Sequence, residues 1–352
     1  MNIAIGMKIT QGPFGGGNQF GKYLSEFLQN HGHQIFFDLN DDNLDIILLT
    51  DPRSSIQSVA FDPLQIMRYV HTINPSVLLV QRINECDERK GTHGLNQLLS
   101  VANAIMDHTI FISSWLEQLH RAQNRFTQNS SIIKNGADRS VFTYQQKQLP
   151  TNRKIRLVTH HWSANRQKGW DVYSHLNRLL RQDEFGSKFE FHYIGNVPKK
   201  ESTDQIQIHR PCGGKELASL LQSGDIYLTA SVNEPAGMHH IEGALCGLPL
   251  LYRNSGALPE YCEGYGIRFD GVQDFQESLE TLVKQYDIFA QQMSRYNHIS
   301  ERMCQEYLDL FERMVRHRDD ILLHRRKKNF SLLHTFMIRG WQNVYRLMSM
   351  MK

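Results

Sequence analysis

Two glutamates, Glu234 and Glu242, stand with seven residues between them in the stretch EPAGMHHIEGALCGLP, residues 234–249. The first lies in a segment broken by Pro235 and Gly237, which reads as a loop. The second lies in an apolar-periodic run, Met238 to Cys246, which reads as a helix ended in the expected order by Gly247 and Pro249. The preceding DIYLTA, residues 225–230, reads as a strand, so the frame is strand, loop, helix. Ligands of open α/β sheets bind at the carboxyl ends of strands. A helix beginning near Gly237 leaves its first N–H groups unpaired and carries roughly half a positive charge there, which suits phosphate oxygens. Met238 and Glu242 are four apart and share one helix face, about 6 Å apart along the axis. A carboxylate accepts bidentate bonds and suits vicinal hydroxyls. The chemistry is recognition of a ligand that carries both phosphate and hydroxyl groups. A lone glutamate more often caps or pairs on a surface helix; here the loop, the helix start and the second glutamate agree.

The pattern E-P-x-G-x(4)-E followed by G-L-P resembles the E-x7-E signature of retaining GT-B glycosyltransferases, in particular the large GT4 family. In that family the first glutamate contacts the donor sugar and the second the nucleotide ribose. The resemblance assigns those roles to Glu234 and Glu242, with Gly237, Met238 and His239 at the helix start beside them. KIRLVTHHWSANRQKGWDVY, residues 154–173, resembles the place where the family keeps an Arg and a Lys on the donor diphosphate. Lys168 before Gly169 matches the lysine, but Ser163 occupies the arginine's place. Either Arg166 stands in for it, or Ser163 and Asn165 donate neutral hydrogen bonds. PLLYRNSGALPEYC resembles a later family segment and contains Glu260, with Gly264 just beyond; SSIIKNGAD resembles I-x-N-G-V-D, which closes the family's N-terminal domain, with Ala137 for the usual Val. The likeness is good from about 130 to 310 and looser over 1–50.

The elements that must position these residues alternate along the chain. Strand-like NIAIGM, QIFFDL, LDIILLTD, SVLLVQRI and HTIFIS alternate with helical segments, the pattern of parallel βαβ units. With 352 residues, two domains are the prior. The resemblance implies a GT-B fold: two Rossmann-like α/β domains facing across a cleft, with C-terminal helices bracing the first. The expected domains are 1–145 on the acceptor side, 146–310 for the nucleotide-sugar, and a basic helical tail over 311–352, with Ser140 to Arg153 as the linker. A hydrophobic content of 40% allows large cores. A net charge of +3 gives no reason to expect nucleic acid. The five cysteines are odd in number and lack C-x-x-C spacing, which fits a reducing compartment and neither a disulfide framework nor a zinc site. No signal-peptide pattern precedes the first strand, and no apolar run reaches the ~20 residues a membrane span needs. A cytoplasmic protein is expected, with membrane association on the cytoplasmic face open.

After the first strand, Gly15, Gly16 and Gly17 let backbone approach a ligand closely before a helix begins. A dinucleotide fingerprint fails here: position 20 is Phe, and Gly21 comes one place late, although Asp38 sits where an NAD-binding acid would. The family's GG loop touches donor phosphate or acceptor, and Gly16 and Gly17 resemble it; a plain tight turn is the competing reading. Arg82 and Asp87 fall in a polar cluster at a strand's carboxyl end and are the acceptor-side choices, against a solvated charged loop. His93 and His108 are further polar residues, and lone histidines are usually structural. No D-x-D stands at a strand end, and His160 and His161 are adjacent on a strand and so point to opposite faces, which argues against a metal. No cofactor is expected.

Residues 325–352 begin with RRKK and carry Phe330, Leu333, Met337, Trp341, Val344 and Met348 at helical spacing, punctuated by Arg339, Arg346 and Lys352. Such a basic amphipathic helix suits an anionic membrane surface, or the stripe packs on the N-terminal domain; both readings stand. The whole points to a retaining, metal-independent hexosyltransferase that moves a sugar from a UDP- or GDP-linked donor to a hydroxyl acceptor. That acceptor is a glycan or lipid-linked glycan, as in cell-surface polysaccharide synthesis. Glu234, Lys168 and Asp87 are the catalytic choices. The rivals are a nucleotide-sugar hydrolase or epimerase, and a non-catalytic nucleotide-sugar-binding scaffold, which the missing arginine favours.

Overall fold

A computed structural model gives the fold and describes residues 1–350 apart from 11, 13, 14, 125, 127, 128 and 327–331. The described residues fall into two compact units, one within 1–10, 17–134 and 301–352, the other within 11–16 and 135–300. The chain passes from one unit to the other at 134/135, and the residues after 300 lie with the first unit. Asn135 already belongs to the second unit. Its backbone N–H donates to the Tyr261 hydroxyl at 2.9 Å and its side-chain amide to the Ala236 carbonyl at 2.7 Å.

The first unit is a parallel sheet of β1 (Asn2–Ile5), β2 (Gln34–Phe36), β3 (Ile46–Leu49), β4 (Leu78–Ile83), β5 (His108–Phe111) and β6 (Ser130–Ile132), in the order β2-β1-β3-β4-β5-β6. Its connections carry α1 (Gly16–Asn30), α2 (Pro63–Thr72), α3 (Asp87–Lys90), α4 (Leu95–Asn103) and α5 (Ser114–Gln123). Strands β3 and β4 are buried along their whole length, because helices cover a parallel sheet on both faces. That burial includes the polar Gln81 and Arg82. Helix α2 starts where local chemistry dictates: Asp62 accepts from the N–H groups of Leu64 and Gln65, the Gln65 side chain accepts from the Asp62 N–H, and Pro63 fills the first turn.

The second unit repeats the plan with β7 (Ile155–His161), β8 (Phe189–Gly195), β9 (Ile206–His209), β10 (Ile226–Thr229), β11 (Leu250–Arg253) and β12 (Gly266–Phe269), ordered β12-β11-β10-β7-β8-β9 and parallel throughout. Its helices are α6 (Trp170–Leu179), α7 (Asp183–Lys188), α8 (Gly214–Gln222), α9 (His239–Leu245), α10 (Leu258–Cys262), α11 (Phe275–Lys284) and α12 (Tyr286–Gln292). The chain runs outward from β7 to β9, then crosses back to β10 on β7's other side. The order reverses between β7 and β10, and their carboxyl ends are where such sheets bind ligands. The segments that leave those two ends, 162–168 after β7 and 230–242 after β10, contain Lys168, Glu234 and Glu242.

After 300 the chain returns to the first unit as α13 (Ser300–Arg316), α14 (Arg318–Arg326) and α15 (Leu332–Met350). Arg325 on α14 is buried against Asp107, donating from Nε at 2.8 Å, and its Nη2 reaches the Val77 carbonyl at 2.7 Å. Helix α15 packs on α4 and α2. The expected stripe is split. Ile338 and Tyr345 are the buried positions and Trp341 packs beside Ile338, whereas Leu333, Met337, Val344 and Met348 are exposed. Phe330, Lys352 and the lysines of RRKK lie outside the described residues.

Candidate functional site

The loop from β10 to α9 is held in an unusual backbone. Asn233 (φ 50°) and Ala236 (φ 114°) have positive φ, a conformation that costs a non-glycine residue of order 1–3 kcal/mol. It persists because neighbours hold it. Asn233 N–H donates to the Ser255 hydroxyl at 2.9 Å, Val232 N–H to the Gln167 carbonyl at 2.8 Å, and Ala257 N–H to the Glu234 carbonyl at 2.7 Å. Gly169 (φ 104°) lies against the β10 end so tightly that a Cβ there would come within 2.6 Å of the Ala230 carbonyl carbon. The expected helix start near Gly237 falls later, at His239, because Gly237 is spent on the turn: its N–H donates to Glu234 Oε1 at 3.0 Å.

That turn buries Glu234, which is 2% exposed, and sets its other oxygen 2.7 Å from the Lys168 ammonium. Lys168 is itself buried, at the end of a 3-10 turn, Arg166–Lys168. The charge of each offsets the other, as a buried pair must. Eight residues on, Glu242 Oε2 lies 2.6 Å from His160 Nε2, and the other nitrogen of that ring is 3.0 Å from the Tyr227 hydroxyl. The next histidine on β7, His161, turns to the opposite face and meets the Tyr173 hydroxyl at 2.8 Å. His239 meets Thr229 Oγ1 at 2.8 Å. Burial, then the neighbouring His161 and Lys168, push His239 well below the usual imidazole range, so it is neutral. Gly16 abuts Met238: a Cβ at Gly16 would sit 2.8 Å from Met238 Cγ. Glu234, Gly237, Met238, His239, Glu242, Lys168 and Gly16 therefore come together in the second unit.

His240 is the odd member of this group. It is fully buried and neither ring nitrogen has a partner among the described residues, while its ring stands edge-on to Tyr261. Burial drives it down to about 3. A base whose folded-state value is depressed supports the fold above its unfolded value, about 6.5, and loses that support as pH falls towards 3. An unpaired buried polar group costs about 1 kcal/mol or more. His240→Phe is therefore expected to raise the melting temperature of the second unit by about 2–4 °C at neutral pH. It should also flatten the fall in stability below pH ~6.5. Thermal melts across pH check both, and a lower melting temperature at every pH would contradict the account.

The remaining choices lie elsewhere. Ser163 Oγ accepts from the Asn165 N–H at 3.3 Å, and Asn165 Oδ1 from the Gln167 N–H at 2.9 Å, so both shape the turn before Lys168. Arg166 points outward and pairs with Glu201, which offsets the charge that was to replace the missing arginine. In the first unit Arg82 lies near the end of β4, as expected, but is buried with its guanidinium 3.8 Å over the Phe20 ring, beside Tyr307. Asp87 accepts from Thr92 Oγ1 at 2.7 Å and from the N–H groups of Leu95 and Asn96 at 3.1 and 2.9 Å, so it caps α4, whose N-cap Gly94 has no side chain to do so. His93 is exposed, and His108 meets Ser131 Oγ at 2.9 Å. A Cβ at Gly17 would meet nothing within 4 Å. Glu260 is half-buried on α10, and Gly264 (φ 85°) makes the turn after it. His160 was missed as a partner for Glu242. Period-two alternation along β7, the fact used to reject a metal pair, also gives it a face of its own. No group of three His, Cys, Asp or Glu among the described residues is placed to hold a metal ion.

No protein-family model and no curated protein matches the chain. Solved structures do match in fold. A sucrose-phosphate synthase from Thermosynechococcus elongatus is 11% identical with a TM-score of 0.65, covering 89% of this chain and 99% of that one. A glycosyltransferase from Rickettsia africae ESF-5 is 13% identical with a TM-score of 0.66, covering 89% and 98%. Alr3699/HepE of Anabaena, solved in complex with UDP-glucose, is 13% identical with a TM-score of 0.64, covering 89% and 99%. Two parallel six-stranded sheets with flanking helices, shared with these proteins over nearly their whole length, make this a GT-B fold of two Rossmann-like domains.

Proposed function

We propose that the chain is a retaining glycosyltransferase of the GT4 type, moving a sugar from a nucleotide-diphosphate donor to a hydroxyl acceptor on a glycan or lipid-linked glycan. The observation that carries the reading is the pairing of Lys168 with Glu234 at one end of a loop–helix unit whose other end carries Glu242. One cation and two carboxylates at adjacent strand ends match a ligand with a diphosphate between two hydroxyl-bearing groups. The similar Alr3699/HepE was solved with UDP-glucose and, separately, with UDP and glucose, which supports a nucleotide-sugar donor.

On this reading Glu242, held by His160, accepts from the ribose hydroxyls. Lys168 exchanges part of its contact with Glu234 for a diphosphate oxygen, and Glu234 then meets the sugar. The bond from the anomeric carbon to phosphate breaks and a bond to the acceptor oxygen forms on the same face. The acceptor proton leaves towards the departing diphosphate. Lys168 stabilises the charge that grows on that diphosphate. Both carboxylates serve the donor rather than flanking the scissile bond as in a glycosidase. Asp87 and Arg82 keep no catalytic part in this scheme, because one caps a helix and the other is buried against aromatic rings. The Arg166–Glu201 pair favours a second reading, a scaffold that binds nucleotide-sugar weakly without turning it over.

A thermal-shift panel of UDP-, GDP-, ADP- and CMP-sugars, each with and without EDTA, tests the proposal. A ligand at about 100 times its Kd stabilises by roughly 2.7 kcal/mol. A shift with one nucleotide class that EDTA leaves unchanged, followed by transfer to an acceptor with retention, is expected. No shift with any donor would sink the proposal; a shift without turnover would favour the scaffold.

A further inference from the structure

Helix α15 leaves large apolar side chains in solvent to a degree no other element does. Among the described residues sixteen large apolar side chains are exposed, and eight of them belong to these nineteen residues. Elsewhere they are scattered singly, as on any protein surface. The helix docks on the first unit by one side only. Ile338 is fully buried in the core with Trp341 beside it, Arg53 donates to the Tyr345 hydroxyl at 3.2 Å, and Gln342 donates to the Pro52 carbonyl at 3.1 Å. At 3.6 residues per turn the opposite side carries Leu332, Phe336, Leu347 and Met350, with Leu333 and Val344 alongside. Their exposures run from 36% at Val344 to 79% at Leu332. Arg339 and Arg346 are exposed along one edge of this face, and no Asp or Glu occurs between Leu332 and Met350.

We propose that this face of α15 docks on an anionic lipid bilayer, the helix lying in the headgroup plane. The inference rests on α15 alone and stands whether or not the chain transfers a sugar. Lying on the surface is favoured over crossing it, since no helix among the described residues is long and apolar enough to span, and Ile338 and Tyr345 tie α15 to the first unit. A bilayer is favoured over a second copy on area and charge. Nineteen residues at 1.5 Å rise make a face about 28 Å long and ~10 Å wide, roughly 300 Å², against about 800 Å² per partner for a stable interface. A two-fold contact would also set Arg339 and Arg346 against the same arginines with no acid on the helix to meet them. On a bilayer the apolar face enters the acyl boundary, and each arginine near a negative surface strengthens binding about five-fold.

Flotation of the full chain with vesicles of phosphatidylcholine containing roughly a third phosphatidylglycerol, against phosphatidylcholine alone, tests this. The chain is expected to float with the anionic vesicles and about ten-fold more weakly, or not at all, with the neutral ones. Phe336→Ser with Leu347→Ser should lower binding about ten-fold or more at an unchanged melting temperature, since both side chains are already in solvent. Should that variant melt lower, Leu332→Ser with Leu333→Ser, at the helix's open end, takes its place. Arg339→Gln with Arg346→Gln should lower binding about 25-fold, about five-fold for each arginine, and added salt should weaken it in the same direction. Failure of the wild type to float with anionic vesicles would overturn the proposal. So would apolar variants that float as well as the wild type, or a solution dimer that Phe336→Ser with Leu347→Ser dissolves.

Discussion

Lys168→Met is expected to destabilise the second unit by about 3–5 kcal/mol, and adding Glu234→Gln to it is expected to restore most of that loss. The reason is the burial of the pair. Lys168 and Glu234 are 7% and 2% exposed, with 2.7 Å between ammonium and carboxylate. Taking away the lysine leaves a buried carboxylate without its counter-ion, although the Gly237 N–H still donates to its other oxygen at 3.0 Å. A neutral hydrogen bond is worth about 1 kcal/mol, less than the counter-charge that a buried ion loses. The double variant leaves no charge to hold. Denaturant unfolding of wild type, both single variants and the double closes the cycle. If Lys168→Met alone costs less than about 1 kcal/mol, the pair is not the counter-charge its geometry suggests. The same cycle separates packing from ligand binding. Affinity for a nucleoside diphosphate should stay low in the stabilised double, because the diphosphate's cation is still missing. If affinity returned along with stability, Lys168 would be a structural residue only.

The loop that holds this pair was legible because glycine and proline punctuate it, and because the resemblance to E-x7-E set Glu234 and Glu242 in one frame. What could not be read was which polar groups would pair with each other. Lys168 and Glu234 are far apart in sequence, as are Arg166 and Glu201, and no local pattern announces either contact. Asp87 and Arg82 show the converse. A run of polar residues after β4 looked like a ligand-facing loop. In the fold Asp87 is drawn to α4, whose start at Gly94 lacks a capping side chain, and Arg82 lies on a strand buried on both faces, where a guanidinium can rest on an aromatic ring. Element types were read well where a segment is apolar or punctuated: the five strands named before 114 all occur. The tail was harder, since apolar residues occur on more than one side of α15. Periodicity alone could not choose which side meets the core, and the choice made by Ile338 and Tyr345 leaves the other side open.

Glu242, held by His160, carries the second large effect. Glu242→Ala is expected to weaken binding of the donor nucleotide by about 10–100-fold, the worth of hydrogen bonds to a charged acceptor, at a stability cost of about 1 kcal/mol. The cost is small because the imidazole left behind keeps its contact with the Tyr227 hydroxyl at 3.0 Å. His160→Asn removes the group that orients Glu242, so it should weaken the same ligand by a smaller factor, about 3–10-fold, through a carboxylate that is present but no longer held. The ligand supplies the control. If Glu242 meets the ribose, its removal should cost 10-fold or more towards the ribonucleotide and nothing measurable towards the 2′,3′-dideoxy analogue, which has no vicinal hydroxyls to offer. Calorimetric titration of wild type and Glu242→Ala with both ligands gives the four numbers. An equal loss towards the two analogues would mean that Glu242 acts on the phosphates or on the fold. The carboxylate and the His160–Tyr227 contacts behind it would then lose their place in nucleotide recognition, even if the chain still turned the donor over.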